Sequence, residues 1–243
     1  MQYWGITDPG CVRSQNQDTF QIKELSPTAT LCIVCDGMGG AKSGNVASKL
    51  ATEVFVEEVC RTYTEEMAQA EIDQMLRAAV KLANFTVYDQ GQQFEEFSGM
   101  GTTLVAALVK EKELTIVNVG DSRAYAITDN GIQKITADHS LVELMVQRGE
   151  LTPEEARAYP GKNYITRAIG TEAIVECDLY HLDVEQEHHL LLCSDGLSNM
   201  VDEQEILFEV VHGENKEQCC VQLLDIAKKR GAPDNVTCIL VRI

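Results

Sequence analysis

Four strand-like segments follow one another with no helix among them, at 103–109, 114–119, 123–127 and 132–135. The turns between them are polar. Lys110 to Glu113 separates the first two, and Asp129-Asn130-Gly131 is a strong hairpin signal before the fourth. A parallel, doubly wound sheet needs a helix after nearly every strand, so this stretch excludes one and demands an antiparallel meander. Helices lie on either side of it. Val46, Ala47, Leu50, Ala51, Val54, Phe55 and Val59 recur at helical spacing and predict a helix over 43–61. Ile72, Met75, Leu76, Ala79, Val80, Ala83 and Val87 mark a second. Beyond the meander, 202–212 and 215–230 read as another pair, the last ending on Lys228, Lys229, Arg230 and Gly231, a good dipole match and C-cap. Strands are expected at 2–7, 19–25, 31–35, 190–194 and 236–243. The sum is α+β: a four-layer αββα sandwich, two antiparallel sheets flanked by helix pairs. With no linker in view, 1–243 reads as one domain. The polar stretch at about 141–166 is an excursion from it, with a short helix over 138–149 and a capping box at Thr152-Pro153-Glu154-Glu155.

Charge narrows the functional classes. The chain carries 38 acidic and 20 basic residues, a net −18, which argues against a nucleic-acid surface. Most of that acid reads as a solvated surface. Nine cysteines include several inside apolar runs, such as Cys35, Cys193 and Cys238, so buried reduced thiols in a cytoplasmic protein are expected. Cys32 and Cys35 spell C-x-x-C within a strand pattern, where that spacing puts them on opposite faces; a redox or zinc role is not expected. The N-terminus lacks the basic and apolar regions of a signal peptide, and no apolar run approaches a membrane span.

Chemistry concentrates at the ends of strands. Leu31-Cys32-Ile33-Val34-Cys35-Asp36-Gly37-Met38 and Leu190-Leu191-Leu192-Cys193-Ser194-Asp195-Gly196-Leu197 share one pattern: a five-residue strand, Asp-Gly, an apolar residue. Asp121 follows a strand through Gly120, Asp234 precedes the last strand, and Asp18 precedes the strand at 19–25. One Asp-Gly is no more than a good turn. Five carboxylates at strand ends of one antiparallel domain are a different matter, because on a shared edge their repulsion calls for a cation. Aspartate, glycine carbonyl and water are hard ligands that suit Mg²⁺ or Mn²⁺ rather than Zn²⁺. Two such ions sharing a carboxylate acidify a water for in-line attack on phosphorus. A phosphate also needs a cationic clamp, and Arg13 is the candidate, although by its local sequence alone it would be a surface arginine.

In these pieces the chain resembles the PP2C-like (PPM) family of metal-dependent serine/threonine protein phosphatases, in its short bacterial form. The matching motifs run almost end to end: Arg13-Ser-Gln-Asn16-Gln-Asp18, Asp36-Gly-Met-Gly-Gly40, Gly101-Thr-Thr103, Gly120-Asp-Ser-Arg123, Asp138-His-Ser140, Ser194-Asp-Gly196 and Pro233-Asp-Asn235. The resemblance implies the four-layer sandwich and a centre of two Mn²⁺ or Mg²⁺ ions. It makes Asp36 the bridge, the Gly37 carbonyl a further donor, Asp195 and Asp234 ligands, Asp18 the group orienting the attacking water and Arg13 the phosphate clamp. It adds a third ion at Asp121 with Asp195, as bacterial members often have, and makes the excursion between Ser140 and Arg167 the family's flap. Phosphoprotein substrates, a cognate Ser/Thr kinase and a monomeric chain complete the expectation.

Two positions depart from the family. Met38 stands where many members place a histidine proposed as general acid, and Met38 donates no proton. Gln17 stands where many carry Glu and adds no charge. His139, in a matching motif, is expected to be structural. Against an active phosphoprotein phosphatase stand a degenerate, binding-only relative, disfavoured by the intact aspartates, and a small-molecule phosphoester hydrolase. A nucleotide-binding role for 37–40 is weakest, since no Lys-Ser/Thr follows the glycines.

Overall fold

The strands form two antiparallel sheets lying face to face. The structure, a computed structural model, describes residues 1–161, 163–184, 188–213 and 215–243, without the side chains of 40–42 and 157; Lys162 of the polar excursion and Gly40 as a side-chain position therefore lie outside the description. One sheet has the order β1 (Gln2–Asp8), β11 (Val236–Arg242), β10 (His189–Cys193), β7 (Arg123–Thr128), β8 (Gly131–Lys134). The other runs β2 (Asp18–Ser26), β3 (Ala29–Met38), β5 (Leu104–Lys110), β6 (Glu113–Val119), β9 (Asp178–Asp183), with the two-residue β4 (Gly101–Thr102) extending β3. The meander thus exists, but it is shared: its first two strands lie in one sheet and its last two in the other.

Helices α1 (Gly40–Thr62) and α2 (Gln69–Gln93) cover the second sheet, and α6 (Glu203–His212) and α7 (Lys216–Lys229) cover the first. Three apolar layers result. Leu31, Ile33 and Cys35 of β3 pack with Phe55, Leu76 and Val80 of the helices. Cys32 and Val34 of the same strand face Ile239 and Leu192 of the opposite sheet. Tyr125, Leu191 and Leu240 pack beneath Ile206 and Leu223. A strand buried on both faces must be apolar at every position, which is why 31–35 does not alternate in character. Cys32 and Cys35 fall in different layers, as their spacing requires, and no disulfide forms among the described residues.

The excursion holds two short helices, α3 (Leu141–Gln147) and α4 (Pro153–Ala158), and the capping box at Thr152 closes with Glu155. Its base is narrow: Ser140 bridges Ile165, and the Leu141 amide donates to the Tyr164 carbonyl at 2.8 Å. No helix among the described residues is long and apolar enough to cross a membrane.

Candidate metal centre

The five aspartates reach one end of the sandwich by several backbone devices. Asp18 and Asp36 are cross-strand partners in the β2–β3 ladder, so their carboxylates are neighbours by register. The Asp36 amide donates to Thr103 Oγ1 at 2.9 Å, while its carbonyl accepts the Thr103 amide at 2.9 Å and Thr102 Oγ1 at 2.8 Å. Asp195 opens α5 (Asp195–Ser198), where Asn199 Nδ2 donates to its Oδ2 at 3.0 Å. Asp121 lies in the turn between β6 and β7. Asp234 stands just before β11 and accepts Arg13 Nη2 at 2.8 Å.

Arg13, Asp36, Gly37, Asp121, Asp195 and Asp234 all line one open cleft of about 490 Å³, with Gln17, Met38 and Asn163. Asp18 sits one step behind this lining, 7 % exposed, with Ser194 Oγ donating to its Oδ2 at 2.7 Å. The structure therefore brings Arg13, Asp18, Asp36, Gly37, Asp121, Asp195 and Asp234 to one end of the sandwich, while His139 lies outside the cleft. It also adds a pairing that local sequence could not show, since Arg13 and Asp234 meet from opposite ends of the chain.

Burial and like charge act in the same direction in this half-dry site. Burial, reinforced by the neighbouring aspartates, pushes Asp18 up to about 6 and Asp121 up to about 7. The same causes, burial first, raise Asp36 well above the carboxylate range and raise Asp195. Two carboxylate oxygens, Asp18 Oδ1 and Asp195 Oδ1, are buried with no hydrogen-bond partner. Among the described residues no three His, Cys, Asp or Glu side chains already close round one point as a metal cluster. The donors are spread round the cleft and Asp234 is turned to Arg13. All the acidic donors are carboxylate oxygens, two are orphaned, and their charges repel; such a set fits hard divalent cations and does not fit zinc.

Several supporting residues escaped the sequence reading as individuals. Asn235 Oδ1 accepts the Gln17 amide at 2.8 Å, and its Nδ2 donates to the carbonyls of Pro9 and Gln15 at 3.0 and 2.9 Å. One buried amide thereby fastens the whole Arg13 loop to the start of β11. Thr103, Ser194 and Asn199 each hold one aspartate. The available signal was that all but Asn199 lie inside the motifs; their partners, far away in sequence, were invisible.

Comparison with known proteins gives the family and the fold. Residues 12–224 match the family model described as protein phosphatase 2C. The chain is 35 % identical over 235 residues to the serine/threonine phosphatase stp of Listeria welshimeri, covering 97 % of this chain and 93 % of that one. It superimposes on the crystal structure of the serine/threonine phosphatase Stp1 from Staphylococcus aureus with a TM-score of 0.93 at 40 % identity, covering 100 % of this chain and 94 % of that one. The Mycobacterium tuberculosis serine/threonine phosphatase PstP/Ppp gives 0.87 at 31 % identity, covering 100 % and 98 %.

Proposed function

Because this chain belongs to the protein phosphatase 2C family and is a protein serine/threonine phosphatase, we propose that its cleft hydrolyses phosphoserine and phosphothreonine at a centre of two Mn²⁺ or Mg²⁺ ions. Asp36, the Gly37 carbonyl, Asp195 and Asp234 would hold the two ions, and Asp121 with Asp195 a third. When bound, the ions neutralise the carboxylates and make a water acidic enough to attack phosphorus at neutral pH. The observation that carries the reading is the pair of buried, unpartnered oxygens on Asp18 and Asp195 beside an arginine-lined cleft.

The chain's own residues divide the remaining work. Arg13 is exposed on a loop that Asn235 holds still, and its guanidinium is ion-paired with Asp234. A phosphate dianion entering the cleft competes for the same fork, and bidentate contact orients it. Asp18 stands just behind the lining with Ser194 on Oδ2, and its buried Oδ1 would serve as acceptor for a hydrogen of the attacking water once the occupied site draws that water up to it. Met38 lines the cleft and donates nothing, and among the described residues no histidine lines it. The proton for the departing serine or threonine oxygen therefore has to come from a water in this open site or from another group that lines it.

We read residues 1–243 as a single catalytic domain with a flap at about 141–166, acting as a monomer on phosphoproteins made by a cognate Ser/Thr kinase. The test is release of phosphate from a phosphothreonine peptide and from p-nitrophenyl phosphate, with Mn²⁺ and after EDTA. Hydrolysis that needs added Mn²⁺ and disappears with EDTA is expected. Hydrolysis unaffected by EDTA would end the metal reading, and turnover of p-nitrophenyl phosphate alone would favour a small-ester hydrolase.

A further inference from the structure

The turn that carries Asp121 is gripped from both sides by Asp138-His139. His139 is buried, 6 % exposed, and lies outside the cleft. Its Nδ1 accepts the Gly120 amide at 3.1 Å, and its own amide donates to the Gly120 carbonyl at 2.9 Å. Ring and backbone of one residue thus fix both polar groups of the residue before Asp121. Because Nδ1 accepts, the hydrogen resides on Nε2, which donates to Asp178 Oδ2 at 3.2 Å; Arg167 Nη1 donates to the other oxygen at 2.9 Å. On the far side of Asp121, Arg123 presents Nε and Nη2 to the Asp138 carboxylate, the latter at 2.7 Å.

The same dipeptide is the root of the excursion. The His139 carbonyl accepts the Thr166 amide at 2.7 Å, and Arg167, at the returning end, reaches the Asp178 carboxylate that orients the ring. In the other direction Ser122 Oγ bonds Thr103 Oγ1 at 2.7 Å, and Thr103 Oγ1 accepts the Asp36 amide. Hydrogen bonds thus tie the base of the excursion to Gly120 on one side of Asp121, and Ser122 on the other side to Thr103 beside Asp36.

We propose that His139 is a positioning residue that sets Asp121 for its cation and ties the placement of that ligand to the base of the 141–166 excursion. The inference rests on the reading of Asp121 as a metal ligand. A histidine that merely filled the core would support all cations alike. One that positions Asp121 selects the ion that Asp121 shares with Asp195 and leaves untouched the two that Asp36, Asp195 and Asp234 hold without it. Outer partners of a metal ligand act in this way, and their loss typically weakens binding about 10- to 100-fold.

The experiment is calorimetric titration of the metal-free chain with Mn²⁺, counting ions and their affinities, for the wild type, His139→Leu, His139→Asn, Asp178→Asn and Asp121→Asn. His139→Leu should weaken the same single ion that Asp121→Asn removes, by about tenfold or more, and leave the tighter ions unchanged. His139→Asn should restore it, because the asparagine oxygen can accept the Gly120 amide as Nδ1 does. Asp178→Asn, at a half-exposed position, should weaken that ion to a smaller degree; it decides the matter should His139→Leu fail to fold. Unchanged affinities in His139→Leu, or in Asp178→Asn in that event, beside a lost ion in Asp121→Asn would overturn the inference and leave the metal reading standing. A full set of ions in Asp121→Asn would instead overturn the assignment of Asp121.

Discussion

Asp36-Gly37 and Asp195-Gly196 follow nearly identical apolar runs, yet the chain leaves the two in different ways. At Asp36 the strand goes on: β3 reaches Met38 because Gly37 pairs with Thr102 and Met38 with Gly101. At Asp195 the strand has already ended at Cys193, and the aspartate opens a helical turn whose first carbonyl accepts the Asn199 amide at 2.8 Å. What they share is a glycine that admits another backbone. A Cβ on Gly37 would stand 2.1 Å from the Gly44 carbonyl oxygen, and one on Gly196 only 1.9 Å from that of Asn235. So each Asp-Gly is a docking point, one for the start of α1 and one for the start of β11. The difference lies in stiffness. Asp36 is fixed by its ladder partner Asp18 on one side and by hydrogen bonds to Thr102 and Thr103 on the other, near the centre of the carboxylates, which suits a ligand shared by two ions. Asp195 is steadied by one exposed i+4 side chain, which suits a ligand that can readjust.

The largest effect should separate the two at once. Asp36→Asn should lower turnover of a phosphothreonine peptide at saturating Mn²⁺ by about 10³-fold or more, a loss of about 4 kcal/mol of transition-state stabilisation. Asp195→Asn should cost about a tenth as much in rate, roughly 10²-fold, because other donors remain and the turn can shift. Equal losses in steady-state kinetics would erase the contrast between ladder and helical turn, and near-normal turnover in Asp36→Asn would remove the shared-ligand role altogether.

How far the sequence revealed this contrast follows from where the information resides. The five apolar residues and the Asp-Gly were legible because period and turn chemistry are local. So were both helix pairs, the C-x-x-C geometry and the strand at 236–243, seen as Val236–Arg242. The continuation of β3 to Met38 was not, since it depends on Gly101 and Thr102 arriving from beyond α2. Nor was α5, a single turn too short to show a helical period. The apolar pattern over 174–182 reads as leading into a strand from Ile174, whereas the strand begins only at Asp178, after Cys177 has packed under the helices. Among functional residues, the carboxylates were visible by type, whereas the groups that aim them were not. Asn235 and Ser194 act across 220 and 176 residues, separations that no local pattern encodes.

A smaller effect isolates the adjustable side of the pair. Asn199→Ala removes the donor on Asp195 Oδ2 and leaves Asp36 and its ladder alone. The Mn²⁺ concentration giving half-maximal activity should rise by about tenfold, while turnover at saturating Mn²⁺ stays near that of the wild type. A drop in saturated turnover with unchanged Mn²⁺ dependence would mean that Asn199 serves the reaction through something other than Asp195.

The smallest effect is one of stability, and its sign distinguishes the carboxylates from the rest of the molecule. Asp36, Asp121 and Asp195 hold their protons more tightly in the folded chain, Asp121 up to about 7, chiefly through burial. A raised folded pKa means that the native state binds more protons than the unfolded one between about pH 4 and the folded value, so stability falls as pH rises through that window. His189, buried and lowered to about 4, works the other way: the unfolded state is protonated first, and stability rises with pH up to about 6.5. Above about pH 6.5 the histidine contribution is nearly constant; the carboxylates still titrate, and toward pH 8 the buried thiols Cys32, Cys35 and Cys193, pushed up to about 12 by burial, add a smaller loss of the same sign as cysteines of the unfolded chain begin to ionise. The EDTA-treated chain should therefore melt lower at pH 8 than at pH 6.5, by about 1 kcal/mol or about 2–4 °C. Added Mn²⁺ should abolish or reverse that slope, because cation charge replaces the missing protons. Asp36→Asn should flatten the metal-free slope more than Asp195→Asn, since Asp36, locked in its ladder among the other aspartates, has no means of turning away. A metal-free melting temperature that climbs from pH 6.5 to 8 would show that the five carboxylates do not crowd one another in solution.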